Sequence, residues 1–247
     1  MDSVHSLTES NLSAIAGRVE VPSYDRRLTP AVVHVGVGGF HRAHQAVYLD
    51  DLAQRRITSA WGECGIGLLP QDRRMAKALR PQDCLYTVVE RSARSDRARV
   101  IGSMVDYLFA PENPERVLDA LADPTTQLVT LTITEGGYNV DEATGVFDMT
   151  NPAMRADLER PSSPSTVFGY LSAALERRHA TGTGAFTVLS CDNLQGNGDI
   201  ARRALVSFAQ LRNEALATWI ENEVAFPNSM VDRITPQTTQ ADRDMVT

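Results

Sequence analysis

Short apolar runs alternate with segments of helical periodicity along most of the chain. Residues 31–37 form an apolar, β-branched run stopped by glycines, the pattern of a strand buried on both faces. In 39–56 the apolar positions Ala43, Ala46, Val47, Leu49, Leu52 and Ala53 recur at helical spacing and predict one long helix. The alternation then repeats. Strands are predicted at 61–68, 85–90, 100–109, 127–134 and 186–191, and helices at 71–79, 114–121 and 166–179, the second opened by Pro114. A longer helical region at 199–224 carries Leu205, Phe208, Leu211, Leu216, Trp219 and Ile220, with a break near 212–213. Strands alternating with helices imply a mostly parallel sheet covered on both faces. The polar segment 139–164 reads as a surface insertion, 226–235 as extended chain, and 1–29 as a lead-in with a short helical stretch at 12–16.

Composition narrows the function classes. Of 247 residues, 43% are apolar and 22% charged, as in a globular chain able to bury a sizeable core. The net charge is -7 and no basic stripe runs along the sequence, which disfavours a nucleic-acid partner and favours a small molecule. Cys64, Cys84 and Cys191 are far apart and form no Cys-x-x-Cys pair, so they read as reduced thiols. The polar N-terminus lacks a secretory pattern, and no apolar run approaches the length of a membrane span. The expectation is a cytoplasmic protein with no membrane partner.

Candidate chemistry begins at the end of the first strand. Gly36-Val37-Gly38-Gly39-Phe40-His41 sits between a strand and a helix, where a glycine turn lets a pyrophosphate approach backbone N–H groups. The third glycine of the usual fingerprint is absent, and a purely steric turn is the competing reading. His41 and His44 are three apart with no third ligand nearby, so a packed helix start is preferred to a metal site. A ribose-binding acid belongs just past the second strand, where Asp72 stands. It lies 36 positions after Gly36, against the usual spacing of about 20. A carboxylate there favours NAD; Arg73 and Arg74 beside it suit the 2′-phosphate of NADP; an ordinary acid at a helix start is the third reading. Together these features predict an α/β, Rossmann-type doubly wound fold.

Five segments carry a resemblance. They are 35–46 around the glycine turn, 67–74 around Asp72, Leu131-Thr132-Ile133-Thr134-Glu135-Gly136-Gly137-Tyr138, Ser190-Cys191-Asp192-Asn193, and 226–236 with Phe226-Pro227-Asn228-Ser229-Met230-Val231-Asp232. From about residue 30 onward the chain resembles the mannitol dehydrogenase family of polyol-specific, metal-independent long-chain dehydrogenases. The resemblance implies a nucleotide-binding domain over 30–235, a lead-in at 1–29, and a linker from 236–247 toward a helical catalytic domain that this chain lacks. It also implies NAD-dependent oxidation of a secondary alcohol, mannitol to fructose or a related polyol and ketose. The alternatives are an inactive NAD-binding fragment and a hexuronate (fructuronate or tagaturonate) reductase.

By the same resemblance Asn193 contacts the reacting oxygen, Asp232 sits beside the base, Glu135 faces the nicotinamide region and Thr134 lines the cofactor with Gly36, Val37, Gly38, Gly39, Phe40, His41 and Asp72. The family's base is a lysine in a Lys-x-x-x-x-Asn-x-x-His pattern. Lys77 is the only lysine here and Gln82 stands five positions on, so that pattern is absent. The competing readings stay open: Asn193 as a turn cap, Asp232 as a partner for a surface cation, and Glu135 as a strand-end acid. An exposed apolar surface is expected near Asn193 and Asp232, where the second domain would dock.

Overall fold

A short helix α1 (Leu12–Ile15) precedes the first strand, β1 (Val32–Val35). The computed structural model describes residues 6–92, 94–141, 144, 146–230 and 234–244. After β1 come α2 (Gly39–Ala43), α3 (Gln45–Gln54), β2 (Glu63–Gly67) and α4 (Arg73–Leu79). An antiparallel hairpin, β3 (Tyr86–Arg91) and β4 (Asp96–Ile101), leads into β5 (Met104–Phe109), α5 (Pro114–Ala122) and β6 (Leu128–Leu131). Then follow α6 (Pro152–Glu159), α7 (Val167–Ala180), β7 (Thr187–Ser190), α8 (Asn197–Gln210), α9 (Glu214–Glu223) and α10 (Gln240–Asp244).

Among the described residues, five strands pair in the order β5-β2-β1-β6-β7, all parallel. In chain order of the sheet strands this is 3-2-1-4-5, the doubly wound arrangement, with its switch point between β1 and β6. Every residue of β1 and β2 is buried, the polar His34 and Glu63 included, as strands covered on both faces require.

Strand alternation divides the core in two. Val33, Val35, Cys64, Ile66, Val129 and Leu131 face a large cluster with α5, α7, α8 and α9, centred on Phe168, Leu171 and Phe208. Tyr107, Phe109 and Met104 face a smaller cluster with Ala46, Val47, Ala76 and Leu79 from α3 and α4. The period of two places His34, Glu63 and Thr130, from three adjacent strands, on the opposite side from the large cluster.

Three expectations need correction. The helix at 39–56 is two helices, because His44 (φ -129°, ψ -88°) leaves helical geometry between α2 and α3. The run 100–109 is two strands: β4 ends at Ile101 in the hairpin, and β5 starts at Met104 in the main sheet. The segment 139–164 is not merely superficial, since Phe147 and Met154 enter the large core and α6 lies within it. The lead-in is also tied down: the buried Arg26 guanidinium donates to the carbonyls of Gly102 (3.0 Å), Met104 (2.9 Å) and Asp83 (2.7 Å).

Candidate functional site

The parallel register aligns the ends of three strands. Val35 pairs with Leu131, and Leu131 with Ser190, so Gly36, Thr132 and Cys191 all start one step past the sheet. Gly36 has φ +95°, and a Cβ there would collide with the Thr132 backbone, so the fold itself demands this glycine. Gly38 and Gly39 differ. A Cβ on Gly38 would approach only the Gly36 carbonyl at 3.8 Å, and one on Gly39 only the Thr235 methyl at 3.7 Å, both ordinary contacts. Among the described residues, packing does not require either glycine. Glycine at both positions keeps the backbone of the turn, half-buried at Gly38 and exposed at Gly39, free of side chains at the switch point, which fits a pyrophosphate.

Phe40 is half-buried and stacks on His44 with ring centroids 4.9 Å apart. Val37 is buried in the smaller core, so its backbone is the part that faces the turn. His41 points away from the turn: it is 1% exposed, stacks on His34 and bonds through Nε2 to Glu63 Oε1. Its side chain is thus a buried support beneath α2, and only its backbone faces the turn side. Burial holds its imidazole neutral, lowered to about 3, and raises the Glu63 carboxyl to about 7. The helix behind the glycines is only five residues long.

Asp72 lies just past β2, in the turn that opens α4, and its Oδ2 accepts the Leu69 N–H at 2.8 Å. Gly67 makes room for it, since a Cβ there would lie 2.6 Å from the Asp72 Cβ. Arg73 is turned to Glu112 (3.2 Å), with its guanidinium over the Phe109 ring at 5.0 Å.

Past β6 the chain enters Thr134 with φ +61° and ψ 166°, a conformation strained for a β-branched residue. It is held by Asp192, which follows β7. The Asp192 carboxylate accepts the N–H groups of Ile133 and Thr134, each at 3.0 Å, and the Tyr138 hydroxyl at 2.7 Å. Glu135 is exposed and borders a cleft of about 300 Å³ with Tyr138, Leu194, Asp199 and Arg203. Asn193 is exposed at the same edge. Asp232 lies outside the described residues. Met230 and Ile234, on either side of it in sequence, are 89% and 90% exposed. Among the described residues no helix is long and apolar enough to cross a membrane, and no group of three or more His, Cys, Asp or Glu could hold a metal.

Residues 30–247 match the mannitol dehydrogenase Rossmann domain. The chain belongs to the mannitol dehydrogenase family. It is 52% identical to the mannitol 2-dehydrogenase of Aspergillus terreus over 96% of this chain and 49% of that protein. It is 47% identical to the polyol:NADP oxidoreductase of Gluconobacter oxydans over 93% of this chain and 48% of the other. Among solved structures it is similar to Pseudomonas fluorescens mannitol 2-dehydrogenase in ternary complex with NAD and D-mannitol. That likeness has a TM-score of 0.94 at 46% identity, covering 97% of this chain and 49% of the other. The chain spans about half the length of the relatives it matches.

Within this family domain, sequence reasoning missed the residues that hold the edge together. Asp192 was quoted only as part of a motif. Asn197, fully buried, donates to the carbonyls of Asp192 and Ser229, both at 3.0 Å, and pins 227–229 against the start of α8, where Gly198 N–H meets Asn228 Oδ1 at 2.8 Å. An acid following a short strand was the signal available for Asp192, since such residues commonly bond backbone N–H groups of a turn.

Proposed function

We propose that this chain is the NAD-binding part of a polyol dehydrogenase of the mannitol type. The observation that carries this reading is the contrast among three glycines. Gly36 is required by the fold, whereas no close contact demands Gly38 or Gly39, and glycine there leaves the backbone bare of side chains at the switch point of a doubly wound sheet. The cofactor would rest its pyrophosphate on the backbone of Gly36, Val37, Gly38 and Gly39, flanked by Phe40, with Asp72 near the adenosine ribose and Thr134 toward the nicotinamide end. Bound NAD supplies the hydride acceptor for oxidation of a secondary alcohol.

Asn193 and Glu135 share the carboxyl edge of the sheet with this turn, and we assign them to the substrate side, with Asp232 beside them. A proton acceptor is also needed. Lys77 does not suit that role, since it is exposed on α4, beyond the other side of the turn from β7. The chain alone is therefore proposed to bind the dinucleotide without turning over mannitol. NAD is preferred to NADP because Asp72 opposes a 2′-phosphate and Arg73 is engaged by Glu112.

Titration of the purified chain with NADH, read by fluorescence, should saturate, while mannitol with NAD should give no NADH above background. Lack of NADH binding would refute the assignment. Steady mannitol oxidation would refute the inactive form of it.

A further inference from the structure

Beneath the glycine turn lies a line of buried polar side chains that the proposed function leaves unused. Thr132 Oγ1 is 2.6 Å from the Gly36 carbonyl oxygen and 3.0 Å from His34 Nε2. A carbonyl only accepts, so the single threonine proton goes to Gly36, and His34 must donate from Nε2 into the threonine oxygen. His34 is fully buried and neutral, its pKa driven well below the ordinary range by loss of solvent. A neutral ring carries one proton, so Nδ1 accepts from the Thr130 hydroxyl at 2.7 Å, and the Gln45 side-chain amide, 3.0 Å from that hydroxyl oxygen, then presents its NH2 group to it as donor.

The ring cannot turn to find other partners. It stacks on His41 with centroids 3.3 Å apart and planes 10° from parallel, and His41 is itself bonded to Glu63. The supports come from three neighbouring strands and the first turn of α2, and they converge on one carbonyl. A trans peptide directs its C=O and N–H to opposite sides. Fixing the Gly36 oxygen on Thr132 therefore fixes the Val37 N–H pointing away from Thr132, before any ligand arrives.

We propose that Thr132 and His34 are positioning residues for dinucleotide binding, acting through the Gly36 carbonyl to hold the first peptide of the glycine turn in its binding orientation. This rests on the nucleotide reading above. A turn held in place loses less conformational freedom on binding, and that saving appears as affinity.

The test uses the 247-residue chain and compares Thr132→Val with Thr132→Ser. Valine keeps the shape and deletes both hydrogen bonds; serine keeps both. The valine variant should bind NADH and ADP-ribose more weakly, each by about tenfold, the effect of one good hydrogen bond. The serine variant should bind within about twofold of wild type. Equal affinity of valine variant and wild type, whatever the change in melting temperature, would overturn the proposal and leave the nucleotide reading intact. If the valine variant does not fold, Thr132→Ala takes its place under the same criterion. A wild-type chain that binds neither ligand removes the nucleotide reading and, with it, the purpose of the clamp.

Discussion

Asp192, just beyond β7, accepts the backbone N–H of Thr134, just beyond β6, at 3.0 Å, and so ties together two strand ends that carry candidate site residues. The same carboxylate satisfies Ile133 and Tyr138, and its negative charge, after burial, is what raises the Tyr138 hydroxyl. Asp192→Ala would leave three donors without their acceptor. The expected cost is about 2–4 kcal/mol in denaturant unfolding, because charged hydrogen bonds are worth more than neutral ones. A loss below about 0.5 kcal/mol, the range of ordinary surface changes, would show that the anchor is not a stabilising one.

Thr134 supplies a second measurement. Its φ of +61° with ψ of 166° belongs to a region that glycine occupies freely. Thr134→Gly should therefore stabilise the chain by about 1 kcal/mol despite the greater entropy of glycine when unfolded. If Thr134 lines the cofactor, the same variant should bind NADH more weakly. Stabilisation with unchanged affinity would remove Thr134 from the site.

The glycines separate fold from ligand. Gly36→Ala forces a Cβ into the Thr132 backbone at φ +95° and should cost several kcal/mol, about the upper range for a strained backbone. Gly38→Ala meets nothing closer than 3.8 Å, so its melting temperature should stay near wild type while NADH affinity falls. The reverse ranking would mean that the space over Gly38 has no ligand to receive.

Glu63 makes a pH prediction. Burial raises its carboxyl from 4.5 to about 7, so the folded chain holds this proton more tightly than the unfolded chain. The penalty is absent below about pH 4.5, grows up to about pH 7 and stays constant above, with an upper bound of about 3 kcal/mol. Glu63→Gln keeps a donor for His41 Nε2 and cannot ionise. Its stability relative to wild type should rise between pH 5 and 8. His41, lowered to about 3, acts in the opposite sense, adding stability above pH 6.5 that is lost on acidification. His41 titrates in both proteins and bonds directly to Glu63, so the difference above pH 6.5, where His41 is neutral in folded and unfolded chains, is the part that reports Glu63. A difference that stays flat across that range would mean the carboxyl ionises normally.

The parallel strands were legible because strands buried on both faces leave short, mostly apolar runs such as Val32 to Val35, which only His34 interrupts, and the glycine turn because it ends one of them. The polar support was not. His34 and Glu63 read locally as strand positions, and their partners lie 98 and 22 residues away in the chain. The split of 100–109 was invisible for a related reason: Gly102 and Ser103 barely interrupt the apolar run, and only pairing with β3 or β2 decides which sheet each part joins. Helix α6 was lost among the prolines and acids of 139–164, since only Met154 and Leu158 mark its packed face. Asp72 was placed correctly past β2, but not the bond that turns its Oδ2 inward.

That bond gives Asp72 two separable roles. Its Oδ2 caps the Leu69 N–H at 2.8 Å, a contact an amide oxygen can also make, whereas repulsion of a 2′-phosphate needs the negative charge. Asp72→Asn should therefore leave the melting temperature close to wild type and raise NADPH affinity relative to NADH, by about tenfold if the charge acts within a few ångströms. Asp72→Ala should shift the ratio equally and also lose about 1 kcal/mol of stability with the cap. Arg73 is held by Glu112 in both variants and should contribute little. An unchanged NADPH to NADH ratio in the asparagine variant would place the adenosine ribose elsewhere, and a loss of stability without a change in ratio would leave Asp72 as a turn acid alone.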